Sequence, residues 1–167
     1  METPEEEAKN WLKTVLQLMG TPADVATIPS PTPLTEQPWL EISSTDLDDR
    51  QKALLLGNEG EPLDALQYML NTTMHVLDDK KTLFTVELAN HRIEHLQKLT
   101  DMAWEAAAKV RETQEEYVFG NLNAAERRHI HVLLQEEPDL DTFSRGKEPE
   151  RRLVVRPKTD EEAPAES

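Results

Sequence analysis

The sequence predicts an α+β protein built from two small modules, and three observations carry that prediction. Apolar residues recur every three or four positions in several stretches of ten or more residues, the spacing that lines one face of a helix. Between these stretches lie short runs in which apolar and polar residues alternate, bounded by proline, glycine or asparagine, as strands are. The apolar periodicity also falls into two blocks with a long helical pattern between them, so the 167 residues divide into two small cores more readily than they fill one.

Taken in order, Thr3-Pro4-Glu5-Glu6 reads as a helix start, with Thr3 as N-cap, Pro4 in the first helical position and Glu6 completing a capping box. Trp11, Leu12, Val15, Leu16 and Met19 then share a face, and Gly20 fits just past the end. Ala23 to Ile28 predicts a strand, Pro29 to Pro38 an irregular connection, and Trp39 to Ser43 a second strand. Asp46 to Leu56 predicts a short helix that stops at Gly57-Asn58-Glu59-Gly60, and Leu63, Leu66, Leu70, Met74 and Leu77 line the next. Phe84, Val86 and Leu88 alternate in a third strand, which closes a helix-strand-strand-helix-helix-strand module. From His91 onward Ile93, Leu96, Thr100, Ala103, Ala107 and Val110 mark a helix of about six turns. Tyr117 to Phe119 predicts a short strand, Asn123 caps a helix carrying Ile130, Leu133 and Leu134, and strands follow at Asp141 to Ser144 and Arg152 to Arg156. The domain boundaries expected are 3–90 and 91–157, with an acidic, disordered tail over 158–167.

Composition removes several classes of function. With no cysteine, a disulfide framework, a thiolate metal site and a cysteine nucleophile are excluded together, and a reducing, cytoplasmic setting is expected. The acidic start, Met1 to Glu7, does not fit the basic opening of a secretory signal, and no apolar run approaches the roughly 20 residues of a membrane-spanning helix, so no membrane partner is expected. The net charge of −15 argues against phosphate contact, but its distribution is uneven. Residues 1–40 carry 2 basic against 6 acidic side chains and residues 41–90 carry 4 against 10, whereas residues 91–157 carry 11 against 13. Any electrostatic capture of nucleic acid is therefore expected in the second module.

Two motifs carry the chemistry. Gly57, Asn58, Glu59 and Gly60 form a GxxG between two helices, where glycines let a sugar-phosphate strand approach and the next helix offers its N-terminal N–H groups to a phosphate. A tight helix–helix turn selects glycine equally well. Arg127 and His131, four apart on one helix, share a face beside Ile130 and Leu134. There they can meet a nucleic-acid strand, Arg127 forking onto phosphate and His131 stacking on a base, or serve the fold through a carboxylate and a sheet carbonyl. On the last strand Arg152 and Arg156 alternate with Leu153 and Val155, and with Arg128, Arg145, Lys147 and Arg151 they form a candidate basic surface. Tyr117 and Phe119 are the nearby aromatics.

Leu54 to Gly60, followed by Leu63-Asp64-Ala65-Leu66-Gln67-Tyr68, resembles the KH domain of the bacterial Jag proteins, also called SpoIIIJ-associated or KhpB proteins. Ala125-Glu126-Arg127-Arg128-His129-Ile130-His131 resembles their second module, the R-three-H domain. The resemblance covers roughly residues 5 to 157 and implies a KH-like domain joined by a long helix to a small Arg-xxx-His domain. It further implies a non-enzymatic regulator or chaperone that binds single-stranded RNA, with DNA as the alternative ligand, and a small single-KH protein as companion. One departure stands out: the GxxG holds Asn58 and Glu59, with Glu61 and Asp64 close by, where relatives carry basic residues. A carboxylate about 4 Å from a phosphate costs on the order of 1 kcal/mol even in water, so a protein–protein adaptor with a silent KH loop is the competing reading.

An enzymatic alternative comes from His91-Arg92-Ile93-Glu94-His95, which matches the H-x-x-E-H of inverted zinc peptidases, His91 and His95 as ligands and Glu94 as base. No third ligand is indicated, and the expected apolar face turns both histidines to solvent. No phosphate-binding loop, dinucleotide fingerprint or serine nucleophile elbow is present, so no catalytic residue, metal or other cofactor is expected.

Overall fold

Local signals set the first helix. Thr3 Oγ1 accepts the Glu6 N–H at 3.2 Å, and Pro4 opens α1 (Pro4–Leu18). Ala8, Leu12 and Leu16 form its fully buried line, with Trp11 and Val15 at the margin. Met19, expected on that face, is exposed, because the helix has ended and Gly20, at φ +76, turns the chain away. The computed structural model describes residues 2–34, 36–77 and 81–159, so most of the tail expected over 158–167 lies outside the described residues.

The first sheet runs in the order β1 (Val25–Ile28), β2 (Trp39–Ile42), β3 (Thr85–Leu88). β1 and β2 are antiparallel, with Val25 opposite Ile42, and β2 and β3 are parallel, with Leu40 opposite Val86. Where one helix was expected from Asp46, a 3-10 turn (Ser44–Asp46) precedes α2 (Asp49–Leu56). Asp48 and Gln51 form a reciprocal capping box, and a residue serving as N-cap is held extended, so the helix starts after it. α3 (Glu61–Leu77) buries Leu63, Leu66, Leu70 and Met74, while Leu77, expected beside them, is exposed at the helix end.

The outer edge of β3 is closed by side chains rather than by another strand. Gln67 accepts the Val86 N–H at 2.9 Å, Asn71 exchanges two hydrogen bonds with the Phe84 backbone at 2.8 and 2.9 Å, and Arg92 Nε donates to the Val86 carbonyl at 2.7 Å. Alternation alone points Glu87 toward solvent, yet it is wholly buried. Its carboxylate accepts the N–H groups of Leu88 at 2.7 Å, Arg92 at 3.1 Å and Ile93 at 2.9 Å, and so caps the start of α4 (His91–Thr113). Three donors and the positive end of a helix offset the desolvation of the charge.

The chain divides into two compact units between Glu94 and His95, inside the first turn of α4. In the second unit, β4 (Tyr117–Val118), β6 (Arg152–Pro157) and β5 (Leu140–Arg145) form an antiparallel sheet in that order, and α5 (Ala124–Leu134) packs on β5 and β6. The core face of α4 runs through Leu99, Ala103, Ala106, Ala107 and Val110, whereas Ile93, Leu96 and Thr100, expected on it, are only half-buried. Ala103, Ala106 and Ala107 give this face of the helix little relief, and Phe119, Ile130 and Leu134 share its buried core. Arg111 bridges Glu137 at 2.6 Å and Asp139 at 2.6 and 2.8 Å, tying the end of α4 to the segment that leads into β5. The architecture is therefore α+β, as the sequence predicts. No helix among the described residues is long and apolar enough to cross a membrane.

Candidate nucleic-acid interface

Three segments of the second unit converge at the start of α5: the loop 119–123, the first turns of α5, and the β5–β6 turn opened by Gly146 at φ +87. Asn123 accepts the Glu126 N–H at 2.9 Å and Glu126 returns the bond to the Asn123 N–H at 2.8 Å, a full capping box. From this turn Arg127 points inward. It is only 5% exposed, Nη1 donates to the Leu122 carbonyl at 2.7 Å, and Nη2 pairs with the Glu148 carboxylate. The expectation that Arg127 forks onto a phosphate is thereby corrected: its guanidinium fastens the β5–β6 turn and the preceding loop to α5. His131, one turn on, is half-buried with Nδ1 2.5 Å from Thr142 Oγ1 on β5, so its ring serves the sheet through a hydroxyl.

Outward-facing cations surround this tie. Arg128, Lys147 and Arg151 are exposed and have no hydrogen-bond or ion-pair acceptor among the described residues. Arg152 Nη1 donates to Asn121 Oδ1 at 2.9 Å, a neutral amide that leaves its charge uncompensated. Directly across the ladder from Arg152 stands Arg145, a like-charge pair that disfavours the hairpin.

Farther along the same sheet face the charge is matched. Arg145 forms two bonds of 2.9 Å with Glu116, which holds the Glu116 carboxyl below its ordinary range and pushes the guanidinium up. Arg156 meets Asp141 Oδ2 at 3.0 and 2.9 Å. The single positive patch expected from Arg128, Arg145, Lys147, Arg151, Arg152 and Arg156 is thus divided: uncompensated around the β5–β6 turn, paired along the strands.

Sequence reasoning missed the aromatic on this face. Phe143 stands opposite Val154, with the Arg145 and Arg156 guanidinium carbons 5.5 and 4.9 Å from its ring centroid. Period-two alternation from Asp141 to Arg145 contains the signal. Of the aromatics that were considered, Phe119 is buried and Tyr117 packs against the core, their ring centroids 5.0 Å apart.

In the first unit, the turn itself uses part of the expected phosphate cradle at Gly57, Asn58, Glu59 and Gly60. The Gly57 N–H donates to Ala53 at 2.8 Å, the Gly60 N–H to Leu56 at 2.8 Å and the Glu61 N–H to Asn58 at 3.1 Å, and Pro62 has no N–H. The N–H groups of Asn58, Glu59 and Leu63 keep no acceptor among the described residues, so the expected cradle is reduced to these three. Asp64 is held by Arg92 at 2.8 Å, which leaves Glu59 and Glu61 as the exposed, unmatched carboxylates of this region. The H-x-x-E-H residues diverge: the His91 ring lies against Gly60, and His95 Nε2 is 2.9 Å from Glu126. No group of three His, Cys, Asp or Glu side chains able to hold a metal occurs among the described residues.

Residues 97–157 match the model of the R-three-H domain, a span that includes Arg127, His131 and the cations around the β5–β6 turn. An RNA-binding protein KhpB of Clostridium symbiosum is 25% identical over 154 residues, covering 92% of this chain and 66% of that protein. The RNA-binding protein KhpB of Bacillus subtilis is 24% identical over 154 residues, covering 91% of this chain and 70% of the relative. Over most of its length the chain is similar to the KhpB (Jag) proteins. A third protein of that name, from Lactiplantibacillus plantarum, is 25% identical over 113 residues, covering 68% of this chain and 35% of its own length. The chain thus spans about two thirds of the length of the first two KhpB relatives.

Proposed function

We propose that this chain is a KhpB-like protein that binds single-stranded nucleic acid, RNA in preference to DNA, through its second unit, and acts on it without catalysis as a regulator or chaperone. The observation that carries the reading is the group Arg128, Lys147, Arg151 and Arg152 around the β5–β6 turn and the start of α5, with no carboxylate bound to any of them among the described residues and a buried Arg127 holding the turn in place. Cations without a carboxylate partner among the described residues, in a chain with 33 acidic side chains, are available to replace the counterions of a phosphate backbone. The names of the relatives support RNA as the ligand.

The first unit has the element order of a KH domain, yet its loop spends the Gly57, Gly60 and Glu61 N–H groups on the turn and exposes Glu59 and Glu61. We assign it the adaptor's role, with a small single-KH protein as the companion. A salt series with labelled single-stranded RNA and DNA tests the whole reading. Affinity falls as salt rises, with a logarithmic slope of about 0.7 per phosphate contact, and Arg152→Ala lowers that slope by about one contact. Absence of binding at low salt removes the reading.

A further inference from the structure

We infer that the face of the β4-β6-β5 sheet that points away from the helices is a second, self-blocked part of the nucleic-acid site. Arg145 and Arg156 flank a base-stacking Phe143 there, and Glu116 and Asp141 occupy the positions that phosphates take. The inference rests on the reading above and adds to it a ligand geometry and an internal competitor.

Leu153 and Val155 belong to the helix-covered core, so Arg152, Val154 and Arg156 take the other face. Val154 is nonetheless fully buried there, with Phe143 and Val118 as its cross-strand partners. An apolar floor of Val118, Val154 and Phe143 therefore lies between two arginines, and Val118 remains 46% exposed. Nucleic-acid bases stack on such rings and on guanidinium planes, and an arginine already seated on a ring loses little freedom when it turns to a phosphate. Each arginine is oriented by one carboxylate: Glu116 grips Arg145 through both oxygens at 2.9 Å, the fork a phosphate also accepts, and Asp141 meets Arg156 at 2.9 Å.

These ion pairs are open to solvent. The paired side chains are 53 and 44% exposed for Arg145 and Glu116, and 41 and 44% for Arg156 and Asp141. Exposed pairs contribute little to stability, so a ligand bearing phosphates exchanges for the carboxylates at small cost. Position completes the case. Arg145 stands opposite Arg152, so this face begins where the uncompensated cations of the turn end, and it continues to Arg156 about 13 Å farther along the strand. A strand captured at the turn has this face next along its path.

Removing the competing charges separates this arrangement from one that merely holds the sheet. The probe is a labelled single-stranded uridine oligonucleotide, titrated into the full chain and into Glu116→Gln, Asp141→Asn, their double variant and Phe143→Leu, with thermal unfolding followed in parallel. Each amide variant binds about threefold tighter and the double variant roughly tenfold, although each loses an ion pair. Phe143→Leu keeps the apolar cover over Val154 and binds about tenfold more weakly at unchanged unfolding temperature. Binding by the wild type that depends on Arg152 and is unmoved by all four variants overturns this inference and leaves the proposed function standing. Failure of every variant and of the wild type to bind overturns both.

Discussion

His129 sits two positions from His131, which sequence reasoning favoured, and is the more informative histidine. It is nearly buried on α5, with Nε2 3.3 Å from Thr100 Oγ1. Desolvation holds its pKa below the ordinary 6.5, and the nearby His95 adds to the shift. Because the unfolded chain takes up the proton first, the stability gained by keeping this ring neutral is complete above about pH 6.5 and is lost as pH falls from there toward the lowered folded value. Denaturant midpoints at about pH 7.5 and 5.5 fall for the wild type and fall less for His129→Gln; equal falls would remove His129 as the source. The lowered carboxyls of Asp24, Glu116 and Asp139 act in a separate, more acid window, since each is held by a lysine or arginine.

At the scale of elements, the start and type of most helices and strands were legible because their signals are local: Thr3, Asn123 and the glycines act within a few residues of themselves. The core face of α4 was not, since Ala103, Ala106 and Ala107 carry too little hydrophobic contrast to outweigh Ile93 and Leu96 in a one-dimensional pattern. Glu87 defeated alternation for a related reason: its burial depends on a helix that begins four residues later. The pairing of the candidate site was out of reach entirely, because Glu116 and Arg145 are 29 positions apart. The α2–α3 junction is the clearest case of a motif whose glycines serve the turn. Gly57 has φ +50 and ψ −142, and a Cβ there would lie 2.7 Å from two atoms of the Pro62 ring. Gly57→Ala therefore lowers stability by about 1–3 kcal/mol, read as a shift of the urea midpoint. An unshifted midpoint would free the glycine for a role in binding.

Across the whole molecule the charge of −15 is carried unevenly, and each unit meets a polyanion differently. The first unit repels it at Glu59 and Glu61, while the second offers its uncompensated cations. Glu59→Lys reverses a charge at the exposed tip of the first unit without adding backbone strain, because the residue already sits at φ +53. With binding carried by the second unit, as proposed, the variant changes RNA affinity by less than about twofold in the salt series. A tenfold gain would bring the first unit into the binding site.

The inward Arg127 has a further consequence for how ligand preference is altered. By gripping the β5–β6 turn from beneath, it makes the tip a fixed mount on which Lys147 and Arg151 are interchangeable fittings. A library randomised at those two positions, with Arg127 and Glu148 kept, samples new selectivities on an unchanged frame, whereas randomising Arg127 itself loosens the frame for every member.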